Sequence, residues 1–296
     1  MNLQYLHAFY VTVKANSISK AAKLLHLTQP GLSMQIQALE KELQVDLLKR
    51  SNRGVALTEG GKIVFDYADT ILSLQDNIER DLKSLKSDRK QLLIGSCKTV
   101  GEYALPCSIY IYKHENKNVD VNLEISNTDT VVKKLMDRSI NIGIIQDKVK
   151  EPGLKLLKIT SDKLLLVTAI PIIKDSVCLE ELKKLPLVLR EKGSGCRRAI
   201  ESHLKARKVE IEELNVLYEL NSMEAIKSSV VSGKGFAFLS QLSIKRELRD
   251  GALRKVDIQD LSIVSDFHIA YREEYTLLPH EEDFVRFLRS NKRGFC

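Results

Sequence analysis

Two sets of polar residues in this 296-residue chain have the types and spacing to make directed hydrogen bonds. The first lies between Ser19 and Arg53. Thr28 is a good helix cap, and Pro30 would sit in the first turn, where its missing N–H costs little. A helix opening there puts Leu32, Ile36, Leu39 and Leu43 on one apolar stripe. Ser33, Met34, Gln37 and Lys41 then fall on the other side. Ser and Gln can bond base edges in a DNA major groove, and Met can touch a thymine methyl. Lys49, Arg50 and Arg53 surround Ser51, Asn52 and Gly54, a basic turn suited to phosphates or the minor groove. The second set occupies four strand-to-helix junctions: Ser96-Cys97-Lys98-Thr99, Ser126-Asn127-Thr128, Gly193-Ser194-Gly195-Cys196 and Asn221-Ser222. Gln146 ends a further strand. Hydroxyls and helix N-termini together cradle a carboxylate or oxyanion without a metal or cofactor. Each junction also has a plainer explanation, because Ser, Thr and Asn are ordinary helix caps.

Catalytic chemistry finds less support. The six histidines, His7, His26, His114, His203, His268 and His280, are scattered, and none is paired at helical metal-ligand spacing. Cys196 and His203 are seven residues apart on an expected helix, two turns distant and too far for direct proton transfer. G-S-G-C-R lacks the strand-turn context of a nucleophile elbow, and the G-K-G at Gly233 to Gly235 precedes a strand, unlike a phosphate loop. We therefore expect no catalytic residues, no metal and no enzyme. The five cysteines are odd in number and form no C-x-x-C pair, which indicates neither a disulfide framework nor a zinc site.

The elements that must position these residues follow from periodicity. Leu3, Leu6, Phe9, Tyr10 and Val13 form a helical stripe, and a short helix capped by Ser17 or Ser19 would bury Ala21, Ala22 and Leu25. From Thr58 to about Lys86 runs a long helix whose Val64, Tyr67, Ile71, Leu74, Ile78 and Leu85, with Leu82 nearby, recur at spacings of three and four. Such a seam wants a partner helix, or else packs on its own domain. SDRK at Ser87 to Lys90 is the best boundary. Beyond it QLLIGS, VNLEIS, INIGIIQ, LLLVTAI, LPLVLRE, NVLYEL, GFAFLS and SDFHIAYR read as strands alternating with helices, implying parallel sheets covered by helices. The formal net charge is +7, and residues 1–62 hold eight Lys/Arg against four Asp/Glu, an asymmetry that suits an anionic polymer. The N-terminus lacks the features of a signal peptide and no run is long enough to span a bilayer, so a cytoplasmic protein without membrane contact is expected.

S-x-x-x-A-A-x-x-L-x-x-T-Q-P from Ser17 to Pro30, S-x-x-I-x-x-L-E from Ser33 to Glu40, and R-x-x-R-x-x-x-L-T-x-x-G from Arg50 to Gly61 closely resemble the signature of LysR-type transcriptional regulators. The resemblance implies an α/β chain of three parts: a winged helix-turn-helix over 1–60, a dimerising linker helix over 61–87, and a two-lobed effector domain, similar to periplasmic binding proteins, over 88–296. Its first lobe would hold about 88–160 and 266–296, its second about 161–265. DNA would meet Ser19, Thr28, Gln29, Pro30, Ser33, Met34, Gln37, Arg50 and Arg53. A small, anionic effector would meet Ser96, Cys97, Thr99, Asn127, Thr128, Gln146, Ser194, Gly195, Cys196, Asn221 and Ser222. Partners would be an inverted-repeat DNA operator, further copies of the chain in a homodimer and a homotetramer, and RNA polymerase if the protein activates. GEYALP, GSGCRR and ELNSMEAIKSSVVSGKGFAFLS look like effector-domain landmarks, the first closest to regulators of sulfur or other small-anion metabolism. Two departures stand out. Met34 replaces a longer polar or basic residue, and Cys97 and Cys196 replace Ser or Thr. The thiols allow two readings: a redox sensor whose thiolates are favoured by helix N-termini, Lys98 and Arg197, or a slightly larger and less polar pocket lining that tunes ligand choice.

Overall fold

The computed structural model describes residues 1–51, 54–86, 89–171 and 174–295, without the side chains of 50, 51, 54, 80, 81 and 83–86. The chain forms two compact units, residues 1–86 and 87–296.

In the first unit α1 (Leu3–Ala15), α2 (Ile18–Leu24) and α3 (Gln29–Leu43) close around Leu6, Phe9, Ala21, Ala22, Leu32, Ile36 and Leu39. Local chemistry sets each boundary. Ser17 Oγ accepts from Lys20 N and opens α2, and Thr28 Oγ1 accepts from Gly31 N and opens α3. Asn16, in the left-handed region at φ 47°, ends α1 and turns its Oδ1 to accept from Val55 N. Glu40 Oε1 accepts from both Leu47 N and Leu48 N, at 2.8 and 3.2 Å. This fixes the path into β1 (Leu48–Ser51) and β2 (Gly54–Leu57), an antiparallel hairpin at the place of the expected wing. Thr58 Oγ1 then donates to Asp46 O and accepts from Gly61 N, opening α4 (Glu59–Lys86). Gly61 is needed for close approach, since a Cβ there would lie 2.0 Å from Leu47 O. The first turns of α4 pack on the bundle through Val64, Phe65, Ala68, Ile71 and Leu72, while Tyr67, Ile78 and Leu82 stay more than half exposed.

The second unit contains, in order, β3 (Lys90–Cys97), α5 (Lys98–Tyr103), α6 (Leu105–Glu115), β4 (Val119–Ser126), α7 (Thr128–Met136), β5 (Ile142–Gln146) and β6 (Leu154–Thr168). Next come β7 (Ser176–Val177), α8 (Leu179–Leu182), β8 (Leu187–Arg190), α9 (Gly195–Lys205), β9 (Val216–Leu220), α10 (Met223–Val231) and β10 (Phe236–Ser240). It ends with α11 (Lys245–Arg249), β11 (Arg254–Ile258), β12 (Ile263–Arg272) and α12 (Pro279–Arg289). One sheet runs β4-β3-β5-β12-β6-β10-β8-β9, and it is mixed rather than parallel. β12 is antiparallel to both β5 and β6, and β6 is antiparallel to β10. The reason is that the chain crosses between two lobes twice, out along β6 and back along β12. One core gathers residues from Leu164 to Ile263, another residues from Leu92 to Ile144 and from Phe267 to Leu288. β6 starts ten residues before LLLVTAI, because its first half pairs with β12 in the first lobe. Cys97, Cys178 and Cys196 are free, whereas Cys107 is disulfide-bonded, which the cysteine spacing did not announce. Among the described residues no helix is long and apolar enough to cross a membrane.

Candidate nucleic-acid face and lobe-junction site

On the first unit, Gln29 and Pro30 lie exposed in the first turn of α3, with Gln37 exposed two turns on and Ser33 half-buried between them. Ser19, Gln29, Ser33 and Gln37 line one groove of about 230 Å³ with Lys49. Polar groups of the right kind thus share a single concave surface beside a cation. Met34 stands outside that groove, 69% exposed. The Thr28 hydroxyl is occupied by its cap. The backbone of Arg50 pairs with Val55 in the hairpin, but its side chain, and Arg53 as a whole, lie outside the described residues.

In the second unit the C-terminal ends of β3, β5 and β8 meet the N-termini of α5, α7 and α9 at the lobe junction. Ser96, Cys97, Thr99, Thr128, Gln146, Ser194, Gly195 and Cys196 are all buried there. Gln146 is the hub. Its Oε1 accepts from Thr99 Oγ1 and from Cys196 Sγ, both at 2.9 Å, and Thr99 Oγ1 lies 3.5 Å from Cys196 Sγ. Thr99 and Gln146 belong to the first lobe and Cys196 to the second, so this triad joins them. Gly195 permits the approach, since a Cβ there would lie 2.1 Å from Gln146 O. Gln146 Nε2 is buried with no hydrogen-bond partner. Leaving such a donor unpaired costs about 1–3 kcal/mol, which marks the place where an acceptor is wanted.

The other junction residues are arranged around this hub. Asn127, Ser194 and Ser222 spend their side chains capping α7, α9 and α10. Asn221 is exposed and contributes its carbonyl, which accepts from Lys98 Nζ. Asp129 N donates to Gly193 O across the junction, and Asp129 pairs with Arg198.

The thiolate reading is not favoured by the surroundings of the two sulfurs. Burial pushes the Cys97 thiol up to about 12, with a Val100 N–H opposing and Cys196 adding to the rise. Burial also raises Cys196, against the pull of Arg190. The cations thought to favour thiolate are engaged elsewhere. Lys98 faces Glu191 at 3.9 Å, and Arg197 is held by Glu201 and Glu219. Two residues that sequence reasoning passed over are Arg190 and Glu191. The Arg190 side chain is only 2% exposed, and its Nε and Nη2 donate to the two oxygens of Glu191 at 2.8 and 3.0 Å. The signal available was an Arg-Glu pair closing the otherwise apolar strand LPLVL. Among the described residues no group of three His, Cys, Asp or Glu is placed to hold a metal.

The profile described as "Bacterial regulatory helix-turn-helix protein, lysR family" matches residues 3–62, and that described as "LysR substrate binding domain" matches residues 86–293. A probable RuBisCO transcriptional regulator of Phaeodactylum tricornutum is 30% identical over 279 residues, 92% of this chain and 91% of that protein. Among solved structures, CbnR, a LysR family transcriptional regulator, superposes with a TM-score of 0.77 at 21% identity, covering 98% of each chain. The regulatory domain of CcmR from Synechocystis PCC6803, in complex with 2-PG, gives 0.62 at 22% identity, covering 68% of this chain and 96% of that one.

Proposed function

We propose a division of labour for this chain, which belongs to the LysR family of transcriptional regulators, with a helix-turn-helix DNA-binding domain and an effector-binding domain. Residues 1–60 read an inverted-repeat operator. Gln29, Ser33, Met34 and Gln37 face the major groove, Ser19, Thr28 and Pro30 seat the helix, and Arg50 and Arg53 hold backbone or minor groove. Residues 61–87 pair two copies through the exposed side of α4, and two dimers make a tetramer. Residues 88–296 take a small anion at the lobe junction, on Ser96, Cys97, Thr99, Asn127, Thr128, Gln146, Ser194, Gly195, Cys196, Asn221 and Ser222. The protein works in the cytoplasm by binding alone, without catalysis, and meets RNA polymerase where it activates.

The observation that carries the effector reading is the unpartnered Gln146 amide, buried where both lobes present hydroxyls and helix N-termini. The CcmR domain, of similar fold, is complexed with 2-PG, which makes 2-PG the first compound to try. An anion held between lobes favours the arrangement in which both touch it, and so shifts the population of lobe positions. The test is thermal unfolding of the full chain against a panel of small anions including 2-PG. A saturable rise in melting temperature that disappears in Gln146→Leu is expected, since a ligand preferring the native state stabilises it. A panel without any saturable shift, or shifts indifferent to Gln146→Leu, would remove the junction from consideration.

A further inference from the structure

Arg190 is a buried guanidinium at the end of β8, beside the lobe junction, and its charge reaches both Cys97 and Cys196. Along one edge it is bonded to Glu191 through Nε and Nη2. From the other lobe comes Lys98, whose side chain is 20% exposed and whose Nζ lies 3.9 Å from Glu191 Oε1. One carboxylate therefore sits between two cations, one from each lobe. Glu102, another carboxylate whose field meets those cations, is exposed. The Glu191 backbone is fixed by bonds to Leu220 O and from Ser194 N, but its side chain is 19% exposed and has a way out to water. Close by in the same junction Gln146 Nε2 lacks an acceptor.

We propose that Glu191 is a tethered stand-in for the effector anion: an entering oxyanion takes its place between Arg190 and Lys98 and accepts from Gln146 Nε2. This rests on the reading of the lobe junction as the effector site. The chain's own carboxylate competes for the two cations, so the ligand must carry at least one full negative charge on oxygens, and neutral polar compounds of the same shape cannot displace it. Affinity is thereby set low by design of the pair, and it rises when the competitor loses its charge.

The test is calorimetric titration of inorganic phosphate into the full-length protein at fixed ionic strength. Glu191→Gln keeps the shape and one of the two acceptors to Arg190 while removing the competing charge, and is expected to bind phosphate about tenfold or more tightly than the parent, the scale of one charge-assisted hydrogen bond. Lys98→Gln, at a partly exposed position that spares the fold, is expected to bind about tenfold more weakly. Glu191→Gln binding at or below the parent affinity overturns the stand-in, as does the absence of heat with either protein. Gly195→Ala, whose new methyl meets Gln146 O, separates the two ideas. Phosphate binding lost in Gly195→Ala but unchanged in Glu191→Gln keeps the junction and rejects the stand-in, whereas binding indifferent to Gly195→Ala rejects both.

Discussion

At the scale of single residues, Cys97 and Cys196 show how the same side chain changes meaning with its surroundings. A thiol at a helix N-terminus beside Lys or Arg is easily read as reactive. Here α5 does begin right after Cys97 and α9 includes Cys196 in its first turn, yet both sulfurs are buried and desolvation outweighs the local positive field. Raising a thiol pKa in the folded state reduces its thiolate fraction at every pH below that value. Alkylation by iodoacetamide should therefore be slow at Cys97 and Cys196 from pH 7 to 9 in the native protein. In urea, where an ordinary thiol titrates at about 8.5, it should be fast and climb steeply over the same range. Peptide mass spectrometry after timed quenching measures both, and native rates at Cys97 or Cys196 equal to those in urea would restore the sensor. What remains for Cys196 is the role of a short donor, fitting against Thr99 and Gln146 where a hydroxyl would also fit.

At the scale of elements, the N-terminal motif is a set of local instructions that the structure carries out one by one. Thr28 opens α3, Glu40 takes the two N–H groups that lead into the hairpin, and Thr58 with Gly61 starts α4 against Leu47. Removing a cap costs about 1 kcal/mol, so Thr28→Ala should lower the melting temperature by a few degrees and weaken DNA binding by frayed presentation of Gln29. Thr28→Ser should restore both, and circular dichroism melts with a DNA titration would show whether it does. These elements were legible because capping and 3.6-residue periodicity are local. The two strands of the wing were not legible from periodicity, since four-residue strands in a basic stretch carry no alternation to see, and only the family resemblance implied them. β11 and β7, short and paired only with distant strands, were missed for the same reason. The antiparallel crossing of β6 and β12 was hidden differently. Its pairing joins residues about a hundred positions apart, and nothing in either segment states which way the partner runs. The junction residues could be named from the sequence because ligands collect at strand ends. Which of them would be spent as caps, and that Gln146 would be the hub, depended on that crossing.

At the scale of the whole molecule, pairing through the exposed apolar residues of α4 would tie reading to assembly. The helix is half committed to its own bundle: Val64, Ala68 and Ile71 are covered within residues 1–86, so the sequence seam was reporting two surfaces at once. Tyr67, Ile78 and Leu82 are left at 67, 62 and 56% exposure, too much apolar surface on one helix to face water by default. A second copy laid along α4 would cover it. Ile78→Glu places a charge on that surface without touching the bundle core, and should convert dimers to monomers in sedimentation velocity while leaving the fold intact by circular dichroism. A single reading helix makes few base contacts, and two on one duplex act at a high effective concentration, so the monomer should lose about a hundredfold or more in operator affinity. Its non-specific binding should fall far less, because phosphate contacts made by basic residues would act within each copy. A dimer persisting in Ile78→Glu would move the pairing surface off α4, and loss of operator affinity without loss of the dimer would place Ile78 in the reading unit instead.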